Sequence, residues 1–594
     1  MIVNDTSAWS TRTFGNEDLL PRVPLPTLED SCALLLEWCA PLLTADELTK
    51  TEAAVTEFLA EDSPARVLHA DLVRYNASPG VRSWLDDFWR TRYLGRRDRI
   101  ALNANFFFLF QDSESGGQVD RAAGLIASAL SYKVALDSEQ VPPVLLRGQP
   151  QSMEQHKYLF STTRIPGTHQ DTARVPSDEG AQARHIVVFH RGRMFRMDVL
   201  GEDGQPHTLE ELADGLRTVL STEEPQQFPA GHLTTKARAE WAASREALLA
   251  VDPANADALD TVESALFCLS LEDSSPADKL AACDALLHGD SANRWFDKAV
   301  SLVVFADGQA GINVEHCLLD GTTILAFVDT LLGTQAAPGG LAQGTPKVEP
   351  VRFVADDALQ ADARAAGQAF ADYAAATATT ELSFEDTGTS MIKKLGMSPD
   401  AFVQSAYQLA HLRSKGLTGA TYESIATRRY QNGRTEAMRV VTPEMVRFVT
   451  VMQDPDADAA TRREALRAAG AKHVARAKQC QAGQAPEQHL WELQMIQRRR
   501  GAELGATQPL ALYDSPGWLI MRDDYLSTSS APSHSIQYFG FGSTSSRCIG
   551  VAYVLLPDRL NIYLSTPQAV SEQMYAFADA LRDALDELAD LLAN

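Results

Sequence analysis

The stretch INVEHCLLDG, residues 312–321, ends a strand-like apolar run on Glu315 and His316 and then places Asp320 and Gly321 shortly after the imidazole. An imidazole, with an unperturbed pKa of about 6.5, can take a proton from a hydroxyl or a thiol near neutral pH. A strand end beside a loop is a place from which such a group can reach a substrate. Asp320 can orient the ring directly, or hold the loop by pairing with a nearby arginine. Gly321 lets the backbone turn tightly. The H-x-x-x-D-G spacing alone is equally consistent with a catalytic and a structural histidine, so the surrounding elements have to decide.

His316 closes a hairpin. The run KAVSLVVFADGQAGINVEHCL, 298–318, reads as two strands turning at Ala306-Asp307-Gly308. An earlier run, HIVVFHRGRMFRMDVLGEDG, 185–204, reads as a hairpin with a short Arg-Gly turn. Residues 27–60 show helical spacing and read as two helices, and 84–94 as another. Long helices are expected at about 358–380, 399–415 and 458–502. The one near 399 has Ser398 at its N-cap, Pro399 in its first turn and Asp400 next. The tail returns to strands in SIQYFGFG, CIGVAYVLLP and RLNIYLST and ends in a helix. Gly, Pro, Ala and Gln crowd 334–349, which reads as a linker between two halves, each with strands and helices. No short-period repeat is visible.

Composition bounds the function. The chain has 594 residues, enough for two or more cores, with 45% hydrophobic and 22% charged residues. Its formal net charge of −25 disfavours nucleic-acid backbones and anionic membrane surfaces. An anionic ligand would need locally concentrated lysines and arginines. The seven cysteines are scattered without a C-x-x-C pair, which argues against a disulfide framework and a zinc site. No apolar run is long enough to span a bilayer, and the N-terminal residues lack a signal-peptide core. A cytoplasmic protein, a monomer and no membrane partner are the expectations.

Other stretches carry a resemblance. NRWFDKAVSLVVFADGQAGINVEHCLLDG (293–321), LPRVPLPTLEDSCALLLEWCAPLL near the start, and FSTTRIPG (160–167) all resemble the choline/carnitine acyltransferase family. So do LTTKARAEWAASREALL (233–249), LGMSPDAFVQSAYQLAHLRSKGLTGATYESIATRRYQNGRTEAMR (395–439), LSTS (526–529) and FGFG (539–542), all in family order. The resemblance runs from about residue 20 to the C-terminus. It implies an α/β fold of two similar chloramphenicol-acetyltransferase-like domains, each a mixed sheet flanked by helices, with an active-site tunnel between them. The implied partition is N-terminal helices over 20–95 that pack with the second domain, a first domain over 96–345 with the histidine, and a second over 346–594.

The resemblance also assigns roles. His316 becomes the general base, which deprotonates an alcohol or, in reverse, the coenzyme A thiol. Asp320 supports it, and Ser529, among the hydroxyls of Ser527, Thr528 and Ser529, becomes the donor to the oxyanion of the tetrahedral intermediate. Lys393 and Lys394, with Ser398 and Asp400 beside them, become the coenzyme A contacts, although the first lysine of the family pattern is Thr389 here. Tyr422, Thr435, Gln488, Ser527 and Phe541 fall at acceptor positions. Tyr422 and Thr435 match the positions that hold the carnitine carboxylate, and Phe541 the aromatic against the trimethylammonium. The arginine of the carnitine-specific pattern is Gln488. A neutral amide cannot make a bidentate, charge-assisted contact, a loss on the order of 2–3 kcal/mol in a buried site. Phe539 falls at the acyl pocket, where a bulky side chain favours a short acyl group.

The expected activity is transfer of a short acyl group between acyl-coenzyme A and the hydroxyl of carnitine or a similar quaternary amino alcohol. No metal is expected. The alternatives are choline or another acceptor, or an acyl chain off-loaded from the phosphopantetheine arm of an acyl carrier protein, which Thr389 and Gln488 motivate.

Overall fold

A computed structural model describes residues 9–113, 116–176, 183–223, 225, 227–333 and 344–593. Residues 334–343, most of the expected linker, lie outside the described residues. The chain forms two compact units. The first takes the described residues of Met1–Asp18, Arg90–Glu381 and Ala531–Gly542, and the second takes Leu19–Trp89, Leu382–Ser530 and Ser543–Asn594.

The first unit is built on an eight-stranded mixed sheet. Its central part comes from two hairpins separated by one strand. His185–His190 and Arg193–Asp198 form the first hairpin, turning through Arg191 and Gly192 at φ 54° and 69°. Two consecutive positive φ values match the right-handed twist of the flanking strands. Val300–Val304 and Ala310–Val314 form the second, with Gly308 at φ 87° in its turn. Cys268–Leu271 lies between them, parallel to His185–His190 on one side and to Val300–Val304 on the other. Phe106–Phe110 then pairs antiparallel with Ala310–Val314. Both faces of this sheet are covered, so its strands are apolar runs without alternation: every residue of Phe106–Phe110 and Ala310–Val314 is buried.

Two outer strands move the expected boundaries. Val348–Val351 pairs with Arg193–Asp198, and the helix Asp357–Ala375 sinks Leu359 and Ala363 into the same core as Val187 and Trp241. Residues 346–381 therefore belong to the first unit and not to the second. Ile536–Phe541 pairs with Phe106–Phe110 at the other edge, which brings 531–542 into the first unit as well. Gly542 beside it admits no side chain, because a Cβ would meet the Leu102 carbonyl oxygen at 2.1 Å. The helix Asp86–Leu94 runs across the division at Trp89 and Arg90.

The second unit has a six-stranded mixed sheet of the same plan. Thr421–Ala426 and Thr435–Arg439 are its first hairpin. Leu526–Ser530 is the lone strand, parallel to Thr421–Ala426 and to Ile549–Leu555. Ile549–Leu555 and Leu560–Pro567 are the second hairpin, and Thr377–Phe384 lies beside Leu560–Pro567. Hairpin, lone strand, hairpin and a strand taken from earlier in the chain thus recur in the same spatial order in both sheets. The helices Leu28–Cys39, Ala45–Phe58 and Pro64–Ala77 also lie in this unit, packed on Pro516–Met521 and Glu487–Leu504.

Two helix expectations need correction. The helix at 358–380 stops at Ala375, because β-branched Thr377, Thr379 and Thr380 enter the second sheet. The single helix at 458–502 is two, Ala459–Gln481 and Glu487–Leu504, interrupted where Gly483 takes φ 70° and Pro486 follows. Among the described residues no helix is long and apolar enough to cross a membrane.

Candidate active site

His316 lies two residues beyond Val314, whose neighbours Val300 and Phe106 are the last pairs of the ladder at that end. Its ring is partly exposed. Nδ1 sits 2.6 Å from the main-chain oxygen of Leu319 and 3.7 Å from Asp320 Oδ1. A carbonyl oxygen only accepts, so Nδ1 carries the proton and Nε2 is the acceptor nitrogen. Nε2 faces the Tyr93 hydroxyl at 3.3 Å, and the Tyr93 and Phe106 rings lie 4.9 and 5.1 Å from the imidazole.

Asp320 is buried at the start of the helix Gly321–Gly333, where its main-chain oxygen accepts from Thr323 and Ile324. Its Oδ2 accepts from the Gln155 amide at 2.7 Å, and its N–H donates to Gln155 Oε1 at 2.8 Å. Asp320 therefore holds the loop through Gln155. Arg164 pairs with Glu315, whose Oε1 is 3.0 Å from Arg164 Nη1. Asp171 sits behind, accepting from Arg164 and Arg238 at 2.6 Å and from Arg97 at 2.7 Å. Burial pushes its carboxyl up, but Arg238 and Arg164 outweigh that and hold it below the usual range. Asp297, also in contact with Arg238, is pushed up to about 6 by burial.

Phe539 and Phe541 join this side of the site. Phe539 is buried with its ring 6.4 Å from Phe106, 5.4 Å from Phe108 and 5.7 Å from Phe541. Phe541 stands opposite Phe106 in the sheet.

The second unit gathers the hydroxyls. Ser527 pairs with Tyr422 on one side and Gly550 on the other, and Ser529 with Ala552. Side chains alternate, so Tyr422, Ser527 and Ser529 share one face with Thr435, which is opposite Ala426. On that face Arg439 lies over the Tyr422 ring at 5.5 Å and pairs with Glu487 and Asp524. Gln488 is buried; its amide nitrogen donates to the Thr435 carbonyl at 2.8 Å, while Oε1 has no partner. The carbonyl fixes the amide orientation, so the unpartnered atom is an acceptor.

Thr528 points to the other face, toward the helix Pro399–Lys415. Gln404 donates to its Oγ1 at 2.9 Å, and the Thr528 hydroxyl donates to the Tyr422 carbonyl at 2.8 Å. Asp400 belongs there too and does not join Tyr422 and Ser527. It takes the Tyr553 hydroxyl at 2.7 Å and lies 2.8 Å from His473 Nε2. Burial and the Asp400 charge raise Glu423 well above the usual carboxylate range. Lys393 and Lys394 are exposed on the last turn of Thr389–Lys394. Ser398 opens the next helix as expected, but its side chain makes no cap bond. Two ammonium groups beside a helix N-terminus suit a phosphate-bearing ligand.

The structure thus brings His316, Asp320, Phe539 and Phe541 together in the first unit, and Tyr422, Thr435, Gln488, Ser527 and Ser529 in the second. Sequence reasoning assigned no role to Tyr93, Gln155, Arg164 or Asp171. A usable signal was Glu315 itself, an acid inside an apolar strand end, which needs a buried cation.

Residues 23–583 match the choline/carnitine O-acyltransferase family model. The chain belongs to that family. It is similar to mitochondrial carnitine O-palmitoyltransferase 2 of Rattus norvegicus, 30% identical over 97% of this chain and 93% of that protein. It is also similar to peroxisomal carnitine O-octanoyltransferase of Rattus norvegicus, 34% identical over 82% of this chain and 83% of that protein. Among solved structures, the trichothecene 15-O-acetyltransferase of Fusarium sporotrichioides aligns over 83% of this chain and 93% of that one, at TM-score 0.42 and 11% identity. Membership makes the chain an acyltransferase with acyl-coenzyme A as co-substrate and a carnitine-like alcohol as acceptor.

Proposed function

We propose that this protein moves a short acyl group between acyl-coenzyme A and the hydroxyl of carnitine or a carnitine-like quaternary amino alcohol, with His316 as general base. The observation that carries the reading is the Nδ1 contact with the Leu319 carbonyl, which leaves Nε2 to accept a proton. In the forward direction Nε2 takes the alcohol proton as the oxygen attacks the thioester carbonyl. The tetrahedral intermediate places its charge on the former carbonyl oxygen, for which the Ser529 hydroxyl is the proposed donor. Collapse expels the coenzyme A thiolate, which takes the proton back from the imidazolium.

Phe539 supports the short acyl group, because its ring fills space against Phe106, the neighbour of the imidazole. The named relatives act on palmitoyl and octanoyl groups, and longer thioesters are the natural comparison. Gln488 favours a second reading of the acceptor. One N–H is used on the Thr435 carbonyl and Oε1 has no partner, so this neutral amide makes no bidentate, charge-assisted contact with a carboxylate, which suits choline or another acceptor without one. Thiol release from acetyl-, octanoyl- and palmitoyl-coenzyme A with carnitine and with choline separates these readings. Faster turnover of palmitoyl- than acetyl-coenzyme A would refute the short acyl group. A carrier-protein thioester remains the alternative donor, tested in the same assay with an acylated carrier. The proposed location is the cytoplasm and the proposed state a monomer, checked by cell fractionation and by light scattering.

A further inference from the structure

Arg164 lies behind the imidazole, and no step above uses it. It is buried, with 1% of its surface exposed, and so are its carboxylate partners Asp171 and Glu315. Its three nitrogens donate to three different acceptors. Nε donates to Asp171 Oδ2 at 2.6 Å, Nη1 to Glu315 Oε1 at 3.0 Å, and Nη2 to the main-chain oxygen of Tyr93 at 2.7 Å.

Two of these contacts lead back to His316. Glu315 precedes it, and the second oxygen of Glu315 accepts from the N–H of Cys317, which follows it, at 3.1 Å. The Glu315 side chain therefore spans the backbone that carries the imidazole. Tyr93, fixed through its carbonyl, presents its hydroxyl to His316 Nε2. A planar guanidinium makes such a set of directional bonds, and an ammonium on a flexible stem does not. Without Arg164, Asp171 keeps Arg97 and Arg238, whereas Glu315 loses its counter-charge.

We propose that Arg164 is a positioning residue of the acyl transfer, setting the His316 backbone through Glu315 and the hydroxyl that faces Nε2 through Tyr93. The proposal rests on His316 being the base. A misplacement of about 1 Å in a reacting group lowers turnover about 100-fold, so this contact set has kinetic consequences out of proportion to its distance from the chemistry.

The test uses the full chain, acetyl-coenzyme A and whichever of carnitine or choline the wild type acylates faster. Arg164→Lys should lose about 100-fold in kcat while the acceptor KM moves less than about threefold. Adding Tyr93→Phe to Arg164→Lys should cost less than Tyr93→Phe costs alone, because the hydroxyl is then already out of place. A kcat within about threefold of wild type, or full additivity with Tyr93→Phe, overturns the proposal. If Arg164→Lys does not fold, Glu315→Gln keeps the shape and removes the charge; about a tenfold loss in kcat is expected, and wild-type kcat overturns the proposal. His316→Ala is measured alongside. Retained activity there would refute the base itself, whereas a dead His316→Ala with a normal Glu315→Gln and Arg164→Lys would refute the positioning role alone.

Discussion

The two units share a strand plan and use it differently. In the first, the proposed base comes just after the last strand of the second hairpin, at His316. In the second, the corresponding strand Leu560–Pro567 ends in Ser565, Thr566 and Pro567 with no ionisable group, and the candidate hydroxyls sit on the lone central strand Leu526–Ser530. The scaffolds differ accordingly. Ser527 is placed by backbone ladders on both sides and Ser529 by the ladder with Ile549–Leu555, and the one side chain between them, Thr528, is held by neutral hydrogen bonds. His316 lies past its ladder, after a last main-chain contact from Glu315 to the Ala299 oxygen at 3.1 Å. Beyond that, its position rests on the Leu319 carbonyl and on buried side chains, among which Arg164, Glu315 and Asp320 are ionisable. A residue the sheet does not fix needs stronger bonds than one it does.

The largest expected effect follows from that charge. Asp171→Ala leaves three guanidiniums without their shared acceptor and should destabilise the protein by on the order of 3–5 kcal/mol, seen as a lower urea midpoint. Gln404→Leu in the second unit removes only a neutral donor. Equal losses from the two substitutions would break the comparison.

Acid should act on the neutral interior of the second unit. His489 is buried, bonded to Ser31 at 2.7 Å and 3.1 Å from His69, and burial pushes it down from 6.5 to about 3. A depressed folded pKa means that the stabilising contribution is intact above the unfolded value and is lost as pH falls toward the folded one. At pH 4 the loss is on the order of 3 kcal/mol relative to pH 7. Urea melts at the two pH values should therefore differ less for His489→Gln than for wild type.

A smaller effect concerns selectivity. Phe539→Gly should raise the octanoyl-to-acetyl turnover ratio about tenfold or more by opening the space beside Phe106. An unchanged ratio would remove Phe539 from the acyl pocket. The smallest effect is that of Thr528→Val, which keeps the shape and loses two neutral bonds, for about 1 kcal/mol.

Much of this was legible in local sequence. The Arg191-Gly192 and Asp307-Gly308 turns, the Ser398-Pro399 helix start and the histidine at a strand end are set by neighbours in the chain. What was not legible depends on distant partners. Thr377–Phe384 reads on from an alanine-rich helix, and only its place beside Leu560–Pro567 makes it a strand. Ile536–Phe541 looks like part of the tail until it pairs with Phe106–Phe110. Arg164 and Glu315 are 151 residues apart, so their contact is invisible to spacing. The recurring strand plan is carried by topology and not by similar residues, which is why no repeat showed in the sequence.

The account turns on His316. Thiol release from acetyl-coenzyme A, measured with carnitine and with choline, should fall by about 1,000-fold or more in His316→Ala with the fold intact by circular dichroism. Acceptor-dependent release within about tenfold of wild type would contradict the assignment of His316 as the base.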